Sequence, residues 1–138
     1  MKQVLLAIPL LLTGCSTPLP FIGYSLDGKA VVQIEAKVVR NSGEWLPVAN
    51  TSFSYKVIDP KYNRITADLA EEKQFGSFTT DFDGKATIVA PDGLLLVSGF
   101  YSINSGNSKV VWDKAEFYLT HNNHTVRISN ENGTVTNN

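Results

Sequence analysis

Few side chains in this 138-residue sequence carry the chemistry of a reaction centre. His121 and His124 are its two histidines, able to act as bases near neutrality, and their H-x-x-H spacing offers two imidazoles to Zn²⁺ or Cu²⁺. They fall in the Asn-rich stretch His121-Asn122-Asn123-His124, which reads as a turn, and no third or fourth ligand stands beside them. They are weak metal candidates, and no metal site is assigned. Asp81 and Asp83 could join other oxygens around Ca²⁺, but that ion takes roughly six to eight ligands, so a turn-forming role accounts better for two carboxylates next to Gly84. The serines lack a G-x-S-x-G elbow or an S-x-x-K pair, and neither a phosphate-binding loop nor GxGxxG occurs. Nothing singles out two of the 13 acidic residues as an acid and base for glycoside chemistry. The expectation is a protein that is not an enzyme and uses no cofactor.

The remaining reactive group is the lone cysteine, Cys15, which leaves no intramolecular disulfide and no Cys-based zinc cluster. Its surroundings are those of an export signal. Met1-Lys2 is positive, Val4 to Leu12 is apolar, and the small residues Thr13 and Gly14 follow. Nine apolar residues interrupted by Pro9 fall far short of the roughly 20 that span a bilayer as a helix. The quartet Leu12-Thr13-Gly14-Cys15 resembles the lipobox of bacterial lipoproteins. That resemblance implies removal of residues 1–14 as a signal peptide and a thioether-linked diacylglycerol on Cys15. In most Gram-negative bacteria it also implies a third acyl chain on the new amino terminus. At about 0.8 kcal/mol per buried methylene, two or three chains hold a protein to a membrane far more firmly than one myristoyl group. Ser16, where Asp is absent, resembles the lipoproteins sorted onward to the outer membrane. Residues 15–23 then form the lipidated cysteine and a short tether. Pro18, Pro20 and Gly23 favour an extended path of about 25 Å at most, which keeps the body close to the bilayer.

The body, residues 24–130, reads as strand after strand. From Ala30 to Val39, Val32, Ile34, Ala36 and Val38 alternate with Gln33, Glu35 and Lys37. Thr51 to Asp59 repeats the pattern with Phe53, Tyr55 and Val57 inward. Gly76 to Thr80 and Lys85 to Ala90 flank Asp81-Phe82-Asp83-Gly84, a tight hairpin turn by its Asp-Gly pair. Leu94 to Asn104, Lys109 to Leu119 and Thr125 to Ser129 complete the series, while Lys61 to Lys73 is a crossover with room for a turn or two of helix. Turn signals recur about every ten residues and no amphipathic helix of normal length appears. The expected fold is all-β: an antiparallel β-sandwich of seven or eight strands, with a closed barrel as the alternative. Residues 131–138 are expected to be a frayed polar tail.

Two stretches carry a second resemblance. Leu46-Pro47-Val48-Ala49-Asn50-Thr51-Ser52-Phe53 and Phe78-Thr79-Thr80-Asp81-Phe82-Asp83-Gly84-Lys85-Ala86-Thr87-Ile88 look like bacterial Ig-like, carboxypeptidase-regulatory or transthyretin-like modules. Tyr118 to Ile128 is similar to their final strand pair. The resemblance implies the sandwich architecture rather than an activity.

With 12 basic and 13 acidic residues, a net charge of -1 and no basic run, nucleic acid is not an expected partner. Of the two tryptophans, Trp112 is expected in the core. Trp45 either caps the open end of the sandwich or, if exposed, anchors a partner. Phe75, Phe78 and Phe82 are expected to pack against the hairpin. These readings predict a lipid-anchored protein of the bacterial cell envelope, on the outer membrane, that binds or braces another envelope protein. The alternatives are a periplasmic ligand- or metal-handling module using His121 and His124, and an inhibitor or surface-exclusion lipoprotein.

Overall fold

The computed structural model describes residues 28–137, so the expected leader, lipobox with Cys15 and tether lie outside the described residues. Strand β1 (Lys29–Val39) carries the expected alternation, with Val32, Ile34, Ala36 and Val38 fully buried. It organises a four-stranded sheet. β5 (Lys85–Pro91) runs antiparallel along Lys29–Glu35, and β2 (Trp45–Pro47) takes over along Lys37–Val39. On its other edge β8 (Thr125–Ile128) pairs with Gln33–Ala36 in parallel, the one departure from an antiparallel plan.

A five-stranded sheet faces it, in the order β4 (Gln74–Thr79), β3 (Ser52–Ile58), β6 (Gly93–Ile103), β7 (Ser108–Leu119), β9 (Thr134–Asn137), with every pair antiparallel. Among the described residues the fold is an all-β sandwich of nine strands rather than seven or eight. The shared core is built around Phe53, whose ring lies 5.3 Å from that of Phe78 and 5.5 Å, edge-on, from Trp112. Such aromatic pairs add about 0.5–1.5 kcal/mol each beyond the area they bury.

A second, smaller core lies on the far side of the five-stranded sheet. The crossover between β3 and β4 folds over that face and places Ala67, with Tyr62 and Ala70, on Ile58, Leu94 and Leu96. Leu94 to Val97 is therefore buried on both faces, which is why this run does not alternate. The crossover contains only the short 3-10 turn Ala67–Leu69 in place of a longer helix, and Arg64 fastens it by donating from its backbone N–H to Glu116 Oε2 (2.8 Å) and from its side chain to the Asp113 carbonyl (2.8 Å).

Three expectations are corrected. The Asp81–Gly84 turn is locally tight, with Gly84 N–H donating to the Asp81 carbonyl and Asp81 N–H to the Lys85 carbonyl. It does not close a hairpin, because β4 and β5 leave it for different sheets. The reason is Gly84, at φ +77°, which brings its backbone against β1: Ala36 N–H donates to the Gly84 carbonyl (2.7 Å), and a Cβ here would stand 2.4 Å from the Ala36 oxygen. The chain thus crosses between sheets at a corner, and buried Thr80 secures it by donating to the Val48 carbonyl (2.6 Å). Second, the polar end does not fray as a whole: Thr134–Asn137 forms β9 on the edge of β7, anchored by Ser108 Oγ to Asn137 Oδ1 (3.1 Å). Third, only Phe78 of the three phenylalanines is packed; Phe75 and Phe82 are 73% and 80% exposed.

Candidate partner-binding surface

Trp45 does not cap the sandwich. It lies on β2 opposite Val39, 54% exposed, on the outer face of the four-stranded sheet. The β1–β2 hairpin that holds it is closed by Gly43 N–H to the Arg40 carbonyl (2.8 Å) and Arg40 N–H to the Glu44 carbonyl (2.9 Å). The indole forms one wall of an open groove of about 480 Å³. Glu35 and Lys37, the outward residues of β1, make the floor and sit 3.7 Å apart as an ion pair. Arg127, Ser129, Glu131 and Asn132 form the opposite wall. Two cations and two anions leave the groove without net charge, so it repels neither sign.

The far wall is rigid because it is wired to the core. Buried Trp112 donates from Nε1 to the Ser129 carbonyl (2.9 Å) and to Asn132 Oδ1 (3.2 Å), and Asn132 Nδ2 donates to the Arg127 carbonyl (3.0 Å). Ser129 caps the 3-10 turn Asn130–Asn132 by accepting from Glu131 N–H (3.1 Å). Asn130 extends β8 by proxy: its Oδ1 accepts from Val39 N–H (2.9 Å) and its Nδ2 donates to the Val39 carbonyl (3.2 Å), which an added strand residue would otherwise satisfy. The sequence reading found Trp45 but missed these wall residues. The outward alternation of Glu35 and Lys37 was legible, whereas the parallel register of β8 on β1, which brings Arg127 beside them, joins segments about ninety residues apart.

The other candidates are placed differently. His124 lends its carbonyl to Gln33 N–H (2.8 Å), and its Nε2 lies 3.7 Å from Asp92 Oδ1. His121 is exposed in the turn before it. Among the described residues no three His, Cys, Asp or Glu side chains come together to hold a metal ion. Asp81 Oδ1 accepts from the backbone N–H groups of Asp83 (2.8 Å) and Lys85 (2.9 Å). Those two bonds, the one from Lys85 foremost, hold its carboxyl below the usual Asp value of 3.8, as expected of a carboxylate fastened in a turn. Trp112 is in the core, as expected.

No protein-family model matches the chain, and no curated protein matches it. The fold and the groove together define a β-sandwich that presents a half-exposed tryptophan on a charge-balanced face. Among the described residues no helix is long and apolar enough to cross a membrane.

Proposed function

We propose that this protein is a non-enzymatic, lipid-anchored module of the bacterial envelope that binds or braces another envelope protein through the groove beside Trp45. Lipid on Cys15 would hold it to the outer membrane, and the short tether would keep the sandwich, with its Ig-like or transthyretin-like plan, next to the bilayer. The observation that carries the binding role is a tryptophan left half uncovered in a fold that buries Trp112, Phe53 and Phe78. An isolated exposed Leu or Val needs no explanation, but an indole held over a groove with its far wall tied to the core is the form of an interface anchor. Covering roughly 100 Å² of the exposed indole would contribute about 2–3 kcal/mol, enough to make Trp45 a dominant contact.

The test is a photo-crosslinking residue at position 45 of the full chain, illuminated in intact envelopes, with the same residue at the exposed Phe82 as the reference. A discrete adduct with one envelope protein from position 45, absent from position 82, supports the reading. Equal, diffuse labelling from both positions overturns it.

A further inference from the structure

The sandwich has four sheet edges, and they are not treated alike. An open edge presents unpaired N–H and C=O groups that template pairing with another strand, so folded proteins commonly shorten, charge, cover or interrupt such edges. β2 is three residues long and carries Pro47, which has no N–H to offer. β5, beyond it on the same side of β1, contains Lys85 and is tied at both ends: Asp81 pairs with the Lys85 N–H and carbonyl, and Gln74 Nε2 donates to the Val89 carbonyl (2.7 Å). β8 has four residues, and Asn132 covers its outward Arg127 carbonyl. β9 has four residues.

β4 has none of these devices. Its six residues, Gln74–Thr79, include no charge and no proline, and they pair with β3 one to one; the offset, Lys73 N–H on the Val57 carbonyl (2.8 Å) that Gln74 faces, falls just before the strand. Thr80 N–H donates to the Thr51 carbonyl (2.9 Å), which sets the phase of the ladder. In that phase Gln74, Gly76 and Phe78 bond inward to β3, and the backbone groups of Phe75, Ser77 and Thr79 turn outward. All three side chains are exposed on the outer face, Phe75 at 73%. On the inner face the Tyr55 ring packs over Gly76 and its hydroxyl accepts from Gln74 Nε2 (2.9 Å).

We infer that β4 is an assembly edge, and that its occupant is the β4 strand of a second copy of this chain, added antiparallel so that two five-stranded sheets become one of ten. The edge is its own complement. With Ser77 on the two-fold axis, Ser77 meets Ser77 of the second copy, and Phe75 meets the second copy's Thr79 on either side. Each outward N–H then faces an outward C=O. The exposed Phe75 ring gains the methyl and hydroxyl-rich surface of Thr79 and Ser52, which are hydrogen-bonded to each other (2.8 Å). The charges around the strand are the Lys56–Glu72 ion pair (3.7 Å), Lys73 just before it and Asp81 just after it; in this register Lys73 falls opposite Asp81 of the second copy, so the symmetric pairing sets no like charges opposite one another. This inference does not depend on the lipid anchor or on Trp45.

The full chain, purified in detergent, is examined by light scattering for polypeptide mass and by mild oxidation of Ser77→Cys. The Cα atoms of a hydrogen-bonded antiparallel pair are about 5.5 Å apart, within the roughly 4.4–6.8 Å that a disulfide spans. Ser54, exposed and directly opposite Ser77 on β3, would lie about 14 Å from its counterpart across the axis, three strand spacings. The expected result is a dimer, covalently closed by Ser77→Cys beyond any crosslinking of the parent through Cys15, and not closed by Ser54→Cys. Ser77→Pro, which removes an outward N–H and leaves the β3 ladder intact, is expected to give a folded monomer. A monomeric parent, a Ser77→Cys chain that stays reduced, or a dimer indifferent to a folded Ser77→Pro would overturn the inference. So would trapping of Ser77→Cys on a different protein.

Discussion

Replacing Gly84 by Ala tests how the two sheets are joined. Two costs are separable there. The first is conformational: at φ +77° an L side chain costs about 1 kcal/mol relative to glycine. The second is steric, since the new Cβ would stand 2.4 Å from the Ala36 carbonyl oxygen and 3.0 Å from the Val48 nitrogen, both backbone atoms with no side-chain freedom to yield. To relieve the contact, β1 must withdraw by more than half an ångström. That disturbs two hydrogen bonds at once, Ala36 N–H to the Gly84 carbonyl (2.7 Å) and Val48 N–H to the Ala36 carbonyl (2.9 Å). Each buried group left unpaired costs about 1–3 kcal/mol, so the total reaches about 3–7 kcal/mol, a large part of a domain's usual stability. Gly43 supplies the control, because its φ is +87° but nothing lies within 4 Å of its missing Cβ. Gly43→Ala is expected to lose only the conformational part, about 1 kcal/mol. Urea unfolding of the two variants, followed by circular dichroism and by tryptophan fluorescence, measures the difference. Losses equal to within about 0.5 kcal/mol would refute the corner as the junction of the sheets.

Asn130→Ala removes the side chain that completes the edge of β1 and leaves the Val39 N–H and carbonyl without their partner. The expected loss is about 1–3 kcal/mol, read as a melting temperature lower by roughly 4–10 °C in calorimetry. Asp81→Asn tests the turn carboxylate through pH. Because backbone donors hold the folded Asp81 below the usual 3.8, its contribution is present above that value and is lost as pH falls through the lower folded value. The stability gap between the parent and Asp81→Asn should therefore be constant near neutrality and narrow below pH of about 4; a gap that widens on acidification contradicts the assignment.

Strands whose apolar residues alternate were legible in the sequence, and β1 and β3 lie within a residue or two of their expected bounds. β2 was not, because three residues carry no period, and β9 was not, because Thr134–Asn137 is polar and owes its order to pairing with β7. The Asp-Gly signal at 83–84 located a turn correctly but not its consequence. Whether flanking strands pair or diverge is decided by what Gly84 packs against, and its neighbours Ala36 and Val48 are remote in sequence. The same limit applies to the groove. Trp45 could be singled out by type, but its opposite wall exists because Trp112 reaches Ser129 and Asn132 across the sandwich side.

We propose that lipid on Cys15 sets this sandwich at an envelope membrane. Intact-mass measurement of the protein recovered from cells is the decisive experiment. The predicted species begins at Cys15, lacks residues 1–14 and carries the added mass of a diacylglyceryl group, and Cys15→Ala removes both the cleavage and the added mass. A recovered chain with an unmodified thiol, or one that retains its leader, would contradict the claim.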